Sequence, residues 1–358
     1  MTPDEEGFLY PKVDVLACMS CGLCEKVCPF LTHFEQRKPE FVYAAINTDD
    51  QERRHSSSGG VFSIIARQVL LDGGVVFGAV FDEKWNVCHV AIDDIKYLPR
   101  LQGSKYVQSR MDDCYRKAKD YLQKDRQVLF SGTACQIAGL KLYLQNEYPN
   151  LISIDVVCHG VPSPQIWNDY ITQLQHKTSI KSISFRDKYS GWTNYDFSVV
   201  YNDGKIFRES HSLNKYMQGF LLDLYLRPSC HHCNVKGCSC GSDITLGDFW
   251  GIEKLVPELK DNMGVSLVLA HSPKGKNMVE SASMRLIKAS YEQAVLRNSC
   301  IEKSTPYNKW RKIFWDHYQK GEGLDKSINY VSRHKRPSII TRIFHRINLL
   351  FNKKSESI

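Results

Sequence analysis

The chain has 358 residues, of which 42% are hydrophobic and 24% charged, and its formal net charge is +8. This length exceeds that of a small electron carrier and allows two or three domains with a sizeable core. The composition is that of a soluble globular protein, and the modest basic excess gives no reason to expect nucleic-acid binding. The sequence has neither a signal-peptide-like apolar segment at its start nor a run of eighteen apolar residues, so we predict a cytoplasmic protein.

Residues 1–40 are dominated by the first of two cysteine clusters. Its spacing, C-x2-C-x2-C-x3-C-P, places Cys18, Cys21, Cys24 and Cys28 within eleven residues and is typical of bacterial ferredoxins. Soft thiolates on one tight loop suit the corners of a [4Fe-4S] cube, and clustered free thiols need a reducing compartment. Zinc is the alternative, but zinc sites usually pair two separate halves. We predict that the first three cysteines share one cluster, because in two-cluster ferredoxins the fourth ligates the other cluster.

Residues 41–175 alternate predicted strands and helices. In order, we expect strand 41–46, a helix ending at 71, strand 75–81 with its hairpin partner 88–92, a polar helix over about 111–123, strand 128–131, helix 136–145, strand 151–157 and a helix to about 175. Repeated strand–turn–helix units indicate a parallel α/β core that binds ligands at its strand ends.

Residues 183–208 differ from this pattern. Two stretches alternate in hydrophobicity around Asn202-Asp203-Gly204, which predicts an antiparallel hairpin covering the core. A helix over about 214–226, a strand over 265–270 and a helix after Ser272 complete the predicted core. The chain beyond residue 300 is expected to be irregular.

The second cysteine cluster follows the 214–226 helix. It comprises Cys230, Cys233, Cys238 and Cys240, again within eleven residues. Zinc and an iron–sulfur cluster both fit this spacing, and the ferredoxin-type run elsewhere favours iron. The neighbouring His231 and His232 are further candidate ligands.

Residues 333–354 predict a basic amphipathic helix. Its apolar face consists of Ile339, Ile340, Ile343, Phe344, Ile347, Leu350 and Phe351, with basic residues off that face. Such a helix either docks on the protein itself or makes peripheral membrane contact, and it is too short and too charged to span a bilayer.

Three polar, glycine-bearing turns lie at strand ends or helix starts. They are Ser56–Gly60, Ser131–Gln136 and Cys158–Gly160. Small residues and free N–H groups at a helix start suit a phosphate, although a plain helix cap explains each turn alone. Together they predict one crevice for a nucleotide or flavin. The predicted cofactor contacts are Ser57, Ser58, Gly59, Gly60, Lys105, Gly132, Thr133 and Gln136.

Two residues are candidates for catalysis. Lys105 lies in a polar connector, and near a bound flavin its charge would stabilise the reduced anion; otherwise it is a solvated lysine. His159 is a candidate proton donor, or it bonds the backbone of its own turn. Cys135 and Cys158 are either buried apolar residues or ligands, since both lie at strand–turn junctions.

These motifs together resemble the family of coenzyme F420 hydrogenase/dehydrogenase beta subunits. The resemblance is carried by residues 14–29, Ser56–Phe62, Gly103–Ser109, Gly132–Leu140, Cys158–Pro164, Phe185–Trp192 and Asp243–Gly251. It implies FAD held by an α/β core, clusters that exchange electrons with the flavin, and hydride transfer to a second substrate. Bacterial members of similar organisation are often associated with surface-polysaccharide synthesis.

Two features depart from the family pattern. Members usually carry two complete cysteine runs, whereas this chain has one, so we interpret the first run as the second half of a two-cluster module. Its missing fourth ligand is then Cys135, Cys158 or one of the Cys230–Cys240 group, or belongs to a chain that starts earlier. The proline usual before Cys135 is Ala134 here.

The predicted fold is mixed, α+β or α/β. A ferredoxin-like segment (1–40) precedes a flavin-binding core in two parts (41–125 and 126–300), followed by an irregular segment and the basic tail (301–358). The leading hypothesis is an iron–sulfur flavoprotein oxidoreductase with one or two [4Fe-4S] clusters and FAD. It would take electrons from a protein such as a ferredoxin and reduce a small-molecule or glycan-related acceptor.

Two alternatives remain open. One is an electron-relay component of a larger complex with no substrate of its own. The other is a zinc-stabilised accessory protein at the inner face of the membrane in polysaccharide assembly.

Overall fold

The computed structural model describes residues 1–175 and 178–335. The strands are β1 (Thr2–Pro3), β2 (Leu9–Tyr10), β3 (Phe41–Asn47), β4 (Val75–Phe81), β5 (Val87–Ile92), β6 (Val128–Thr133), β7 (Leu151–Val156), β8 (Ile180–Asp187), β9 (Asp196–Tyr201), β10 (Ile206–Ser210), β11 (Ile244–Asp248), β12 (Ser266–Ala270) and β13 (Met284–Lys288). The α-helices are α1 (Leu23–Lys26), α2 (Asp50–His55), α3 (Val61–Leu71), α4 (Leu98–Leu101), α5 (Cys114–Leu122), α6 (Ala134–Leu144), α7 (Pro164–Leu174), α8 (Lys215–Leu221), α9 (Pro273–Ser281), α10 (Tyr291–Val295), α11 (Arg311–His317) and α12 (Gly323–Lys335).

Eight strands form one mixed sheet in the order β13-β3-β12-β11-β7-β6-β4-β5. The central strands β11, β7, β6 and β4 are parallel, whereas β5, β12 and β13 pair antiparallel with their neighbours. The carboxyl ends of the parallel strands therefore meet at one edge of the sheet, which is where ligands bind in open α/β sheets.

Both faces of this sheet are covered, and this explains its apolar strands. Alternate residues of β4, β6 and β7 point to opposite faces: Val76, Leu129 and Ile152 pack under α3 and α4, whereas Phe77 and Phe130 pack under α5 and α6. The two aromatic rings stack at 5.0 Å. A shift of one residue would exchange the side chains of the two faces, so the close fit of each face to its helices fixes the register.

A second layer is built around a three-stranded antiparallel sheet, β10-β9-β8. Its apolar face packs with α7, α8, α11 and α12 in an aromatic core that includes Trp167, Phe185, Tyr216 and Phe314. This layer positions Arg186 and the start of the second cysteine cluster against the edge of the main sheet.

The structure confirms most predicted elements and corrects three. The parallel core is a mixed sheet, and the predicted hairpin is three-stranded because β8 pairs with β9. The expectation of an irregular chain beyond residue 300 is wrong over 311–335, where α11 and α12 form because Phe314, Leu324 and Ile328 pack at helical spacing into the aromatic core. The predicted basic helix lies almost wholly in residues 336–358, outside the described part of the chain.

Among the helices of the described residues, none is both long enough and apolar enough to span a membrane.

Candidate functional site

Six cysteines line one cavity at the carboxyl ends of β6 and β7. They are Cys135, Cys158, Cys230, Cys233, Cys238 and Cys300. The cavity measures about 50 Å³ by the space open to the centre of a water molecule. That is room for a few waters or a compact inorganic group, and it is too small for a flavin.

Three separate parts of the chain supply four of these thiols, and Cys300 comes from a fourth. Cys135 is the second residue of α6, at the positive end of the helix dipole, but burial outweighs this and raises its pKa. Cys158 lies two residues after β7, and Cys230 and Cys233 lie on the short 3₁₀ helix Pro228–His232 and its end. The backbone N–H of Arg227 donates to the carbonyl of Val161 at 2.8 Å, which ties this turn to the loop after β7.

Four of these thiols are electrostatic neighbours. Burial raises the pKa of Cys230 to about 12, and negative charge on Cys135 and Cys233 raises that pKa further. Burial also raises the pKa of Cys158, and negative charge on Cys230, Cys135 and Cys233 would raise it further. Such thiols stay neutral unless a positively charged group enters among them, and a bound metal or cluster is such a group.

The spacing of the thiols distinguishes between kinds of metal site. Within residues 1–175 and 178–335, no three Cys, His, Asp or Glu side chains converge closely enough to hold a single ion. A cubane cluster holds its ligand sulfurs farther apart than one zinc ion does. The cavity between Cys135, Cys158, Cys230 and Cys233 therefore fits an iron–sulfur cluster better than zinc.

The two remaining cysteines of the second cluster, Cys238 and Cys240, lie in different places. Cys238 lines the cavity but also bonds to Tyr291, and burial raises its pKa to about 12. Cys240 is buried outside the lining, where its thiol bonds to the carboxyl group of Asp155. His231 Nδ1 donates to the carbonyl of Thr305 at 3.0 Å, and His232 is exposed.

The first cysteine run lies beside this cavity rather than in it. Cys18, Cys21 and Cys24 are exposed and Cys28 is half-buried. The side-chain amide of Asn234, next to Cys233, donates to the carbonyls of Pro29 at 2.7 Å and Thr32 at 2.9 Å. The run that predicts one cluster is thus fixed next to the thiols that would hold another.

His159 is held between two partners that the sequence did not predict. Its Nε2 lies 2.6 Å from the carboxylate of Asp223, and its Nδ1 lies 3.7 Å from Cys300 Sγ. Burial opposes protonation, but these two contacts prevail and raise the pKa of His159 to about 9. The hydrogen bond to His159 in turn lowers the pKa of Cys300, which burial would raise. Both partners lie far from His159 in sequence and in no recognisable motif.

The pairing of His159 with Asp223 predicts a pH-dependent contribution to the free energy of unfolding. The folded pKa of His159 lies above its ordinary 6.5, so the stabilisation is complete below about pH 6.5 and is lost as the pH rises through about 9. We expect the unfolding free energy of the native chain to fall more steeply over this interval than that of Asp223→Asn, measured by urea denaturation. Equal slopes would contradict the pairing.

Lys105 lies at the carboxyl end of the main sheet. Its ammonium group donates to the carbonyls of Gln102 at 2.9 Å and Gly103 at 3.1 Å, and lies 5.9 Å from the ring of Phe81. The side chain is only half-buried by accessible surface, but atoms crowd the ammonium, and this desolvation lowers its pKa to about 7. Lys105 is therefore not an ordinary solvated lysine.

The turn Ser56–Gly60 is joined to the connector that carries Lys105. Ser57 Oγ accepts from the backbone N–H of Ser104 at 2.7 Å, which brings two of the predicted contact groups together. Ser58 donates to the carbonyl of Val265, and the N–H of Gly59 donates to Ser266 Oγ. Gly60 has φ +86° and caps α3 without a side-chain hydrogen bond. The first N–H groups of α3 thus have no side-chain cap.

The turn after β6 forms a capping box at the start of α6. Its polar residues therefore act at least as a helix cap, as the sequence alone allowed. The N–H of Thr133 donates to Gln136 Oε1 at 2.9 Å, and the Thr133 hydroxyl lies 3.2 Å from Cys135 Sγ. Gly132 leaves room for the Gln136 side chain and for His89, because a Cβ there would lie 3.0 Å from Gln136 Oε1. These residues fix the position of Cys135.

A buried arginine links two of the motif blocks. Arg186 pairs with Asp248 at 3.0 Å, and its guanidinium lies 4.0 Å from the ring centre of Tyr195. Trp192 stacks on Trp250 at 4.6 Å and donates to Asp248 at 2.9 Å. The sequence singled out both segments, Phe185–Trp192 and Asp243–Gly251. It could not predict that they contact each other, because they lie far apart along the chain.

The chain thus combines a mixed α/β sheet with thiols gathered at the carboxyl ends of its parallel strands. Residues 125–293 match the family described as the C terminus of the coenzyme F420 hydrogenase/dehydrogenase beta subunit. This part of the chain is similar to that family, whose members are components of oxidoreductases, and the resemblance noted in the sequence is confirmed.

Two known proteins are similar to the chain. The F subunit of the F(420)H(2) dehydrogenase of Methanosarcina mazei is 23% identical over 235 residues, which is 64% of this chain and 63% of that protein. The chain thus spans less than two thirds of this relative. A chain of the F420-reducing [NiFe] hydrogenase complex from Methanosarcina barkeri is 15% identical, with 84% of this chain and 94% of that chain covered and a TM-score of 0.48.

Proposed function

We propose that the protein is an iron–sulfur flavoprotein oxidoreductase that passes electrons between [4Fe-4S] clusters and FAD, with hydride transfer to an acceptor. The observation that carries the proposal is the convergence of Cys135, Cys158, Cys230 and Cys233 on one small cavity. Thiolates brought together from three remote segments are the donor set that iron–sulfur clusters use.

The residues around the cavity suit a cluster. When bound, it would supply one-electron transfer at low potential. The capping box directs Cys135 at the cavity, and Lys236 Nζ lies against it, donating to the carbonyl of Cys300 at 2.8 Å and to that of Cys158. A nearby ammonium offsets part of the negative charge of four thiolates.

The flavin would lie next to the cavity, at the same edge of the sheet. The support is the joining of Ser57 to the Lys105 connector and the uncapped N-terminus of α3, an eleven-residue helix suited to a phosphate. Ser58, Gly59 and Gly60 would shape that turn, and Gly132, Thr133 and Gln136 would set its boundary toward Cys135. Lys105 would hold charge near the flavin, and His159 would donate a proton to the acceptor.

The proposal also includes other proteins and an electron acceptor. The relative from Methanosarcina mazei is named as one subunit among others, so we infer that this chain also works with other proteins, among them an electron donor such as a ferredoxin. The acceptor would be a small molecule or a glycan-related compound, and the setting cytoplasmic.

Anaerobic purification with iron, sulfide and flavin quantified per chain tests this function. We expect a coloured protein with iron and sulfide in equal amounts and flavin absorbance. A colourless protein that contains zinc and no flavin would contradict it. Turnover of a small molecule by the isolated, fully loaded chain would exclude the electron-relay alternative, whereas activity only with a partner protein would favour it.

A further inference from the structure

Lys188 is the first residue after β8, and its half-buried side chain reaches the turn Ser56–Gly60. Its ammonium group donates to three backbone carbonyls, those of Arg53 at 2.7 Å, Ser58 at 2.6 Å and Met263 at 2.6 Å. An ammonium group has three N–H donors, so all three are used. None of these acceptors is a carboxylate, although a carboxylate is the usual partner of a lysine that is withdrawn from water.

The three acceptors belong to different segments around this turn. The carbonyl of Arg53 lies in the last turn of α2, where helix carbonyls lack intrahelical partners. The carbonyl of Ser58 is part of the turn itself, and that of Met263 lies in the loop before β12. This loop packs closely on the turn, because a Cβ at Gly264 would lie 3.0 Å from the carbonyl oxygen of Ser58. Lys188 therefore ties the turn to both of its neighbours.

The charged groups that face Lys188 leave an excess of positive charge. They are Arg53 of α2, Arg186 of β8, Asp248 of β11 and Asp261 of the loop before β12. Arg53 pairs with Asp261 at 2.5 Å, and Arg186 pairs with Asp248 at 3.0 Å. The two carboxylates thus match the two arginines, and the charge of Lys188 is the excess within this group. Positive charge behind a turn favours an anion in front of it.

The number of carbonyls that Lys188 can hold depends on its protonation. Burial and the charge of Arg53 lower the pKa of Lys188 to about 7, with Asp248 opposing. Above that pH the neutral amine has two N–H donors for three carbonyls, so one hydrogen bond is lost. A rise in pH through about 7 therefore removes both the charge and one of the ties around the turn.

We propose that Lys188 is a positioning residue for flavin binding: its ammonium group holds the turn Ser56–Gly60 in the shape that receives the phosphates of FAD. This role rests on the proposed function, in which FAD binds at that turn. The N–H groups of Lys188 are taken by carbonyls, so it acts through the turn and not by contacting the phosphates. When the ammonium group loses its proton, the turn loosens and binds the flavin less tightly.

Titration of the full-length, flavin-depleted protein with FAD tests the proposal, with binding followed by flavin fluorescence. One pH unit below the pKa, Lys188→Met should raise the Kd for FAD about tenfold, the effect of losing a charge-assisted hydrogen bond. Between one unit below and one unit above the pKa, the native Kd should rise about fivefold, because about a tenth of the Lys188 side chains keep their proton at the higher pH. Lys188→Met should lack this rise. Lys105, whose pKa is also about 7, is present in both proteins, so the difference between the two pH profiles isolates Lys188.

A matched lysine provides the control. Lys274 also donates to a backbone carbonyl, that of Leu151, and lies 3.5 Å from the carboxylate of Asp243. Leu151 begins β7, so this contact lies at the opposite edge of the sheet from the turn. Lys274→Met should lower the free energy of unfolding but leave the Kd for FAD and its pH profile unchanged.

The outcomes separate this role from the proposed function. Equal Kd values for the native protein and Lys188→Met, coincident pH profiles, or an equal loss of affinity in Lys274→Met would overturn the role of Lys188 alone. No binding of FAD by the native protein at any pH would refute the proposed function, and this role with it. A second variant covers the case in which Lys188→Met does not fold: in Lys105→Met the rise of Kd with pH should persist, and a flat profile there would overturn the proposal.

Discussion

Under the proposed function, Cys230→Ser is expected to remove the cluster that the cavity would hold. The iron content should fall by about four atoms per chain, the content of one [4Fe-4S] cluster, and the visible absorbance should fall in proportion. The physical reason is that a serine hydroxyl is a hard, weakly acidic ligand that replaces one of four soft thiolates. Iron analysis and the anaerobic visible spectrum of the purified variant measure the effect.

The matched control is Cys114→Ser. Cys114 is buried like the cavity thiols, but its Sγ lies against the carbonyl of His89 at 3.2 Å, away from the cavity. This variant should keep its iron and its spectrum. If Cys230→Ser kept all of its iron while Cys21→Ser lost all of it, the internal site would be refuted and the first cysteine run would hold the only cluster.

Gly59→Ala is expected to destabilise the fold by about 3 kcal/mol, even without flavin. A Cβ at this position would lie 2.6 Å from the backbone nitrogen of Ser266 and closer still to the carbonyl oxygen of Ala45. Both are backbone atoms of paired strands, so neither can move away cheaply. Urea denaturation of the flavin-free protein measures the loss.

Gly73→Ala separates this clash from the ordinary cost of losing a glycine. Gly73 has φ +78° and open space around its Cα, so its replacement should cost about 1 kcal/mol from backbone strain alone. Equal effects of the two substitutions would show that close packing of Gly59 against β3 and β12 does not contribute.

The local parts of the structure were predictable from the sequence. Apolar periodicity placed α3 and the strands β4, β6 and β7 within a few residues, because burial on a sheet or helix face imposes its period on the sequence. Thr133 and Gln136 form a helix cap, one of the two roles that the sequence allowed for this turn. A capping box depends only on residues three positions apart, so the sequence is enough to suggest it.

The internal site was only partly predictable. Cys135 and Cys158 were noted at strand–turn junctions, but their meeting with Cys230 and Cys233 depends on the pairing of β6 with β7 and on the turn at Arg227. Spacing alone grouped Cys240 with Cys230, whereas the chain turns Cys240 toward Asp155. Asp223 and Cys300 reach His159 only through tertiary folding.

The proposed function requires iron in the cavity of this chain. Anaerobic crystals of the purified protein, with diffraction data collected on both sides of the iron absorption edge, locate iron atoms directly. We predict an anomalous peak among the sulfur atoms of Cys135, Cys158, Cys230 and Cys233. No iron peak at that position in crystals whose protein contains iron, or a peak there at the zinc edge instead, would contradict the account.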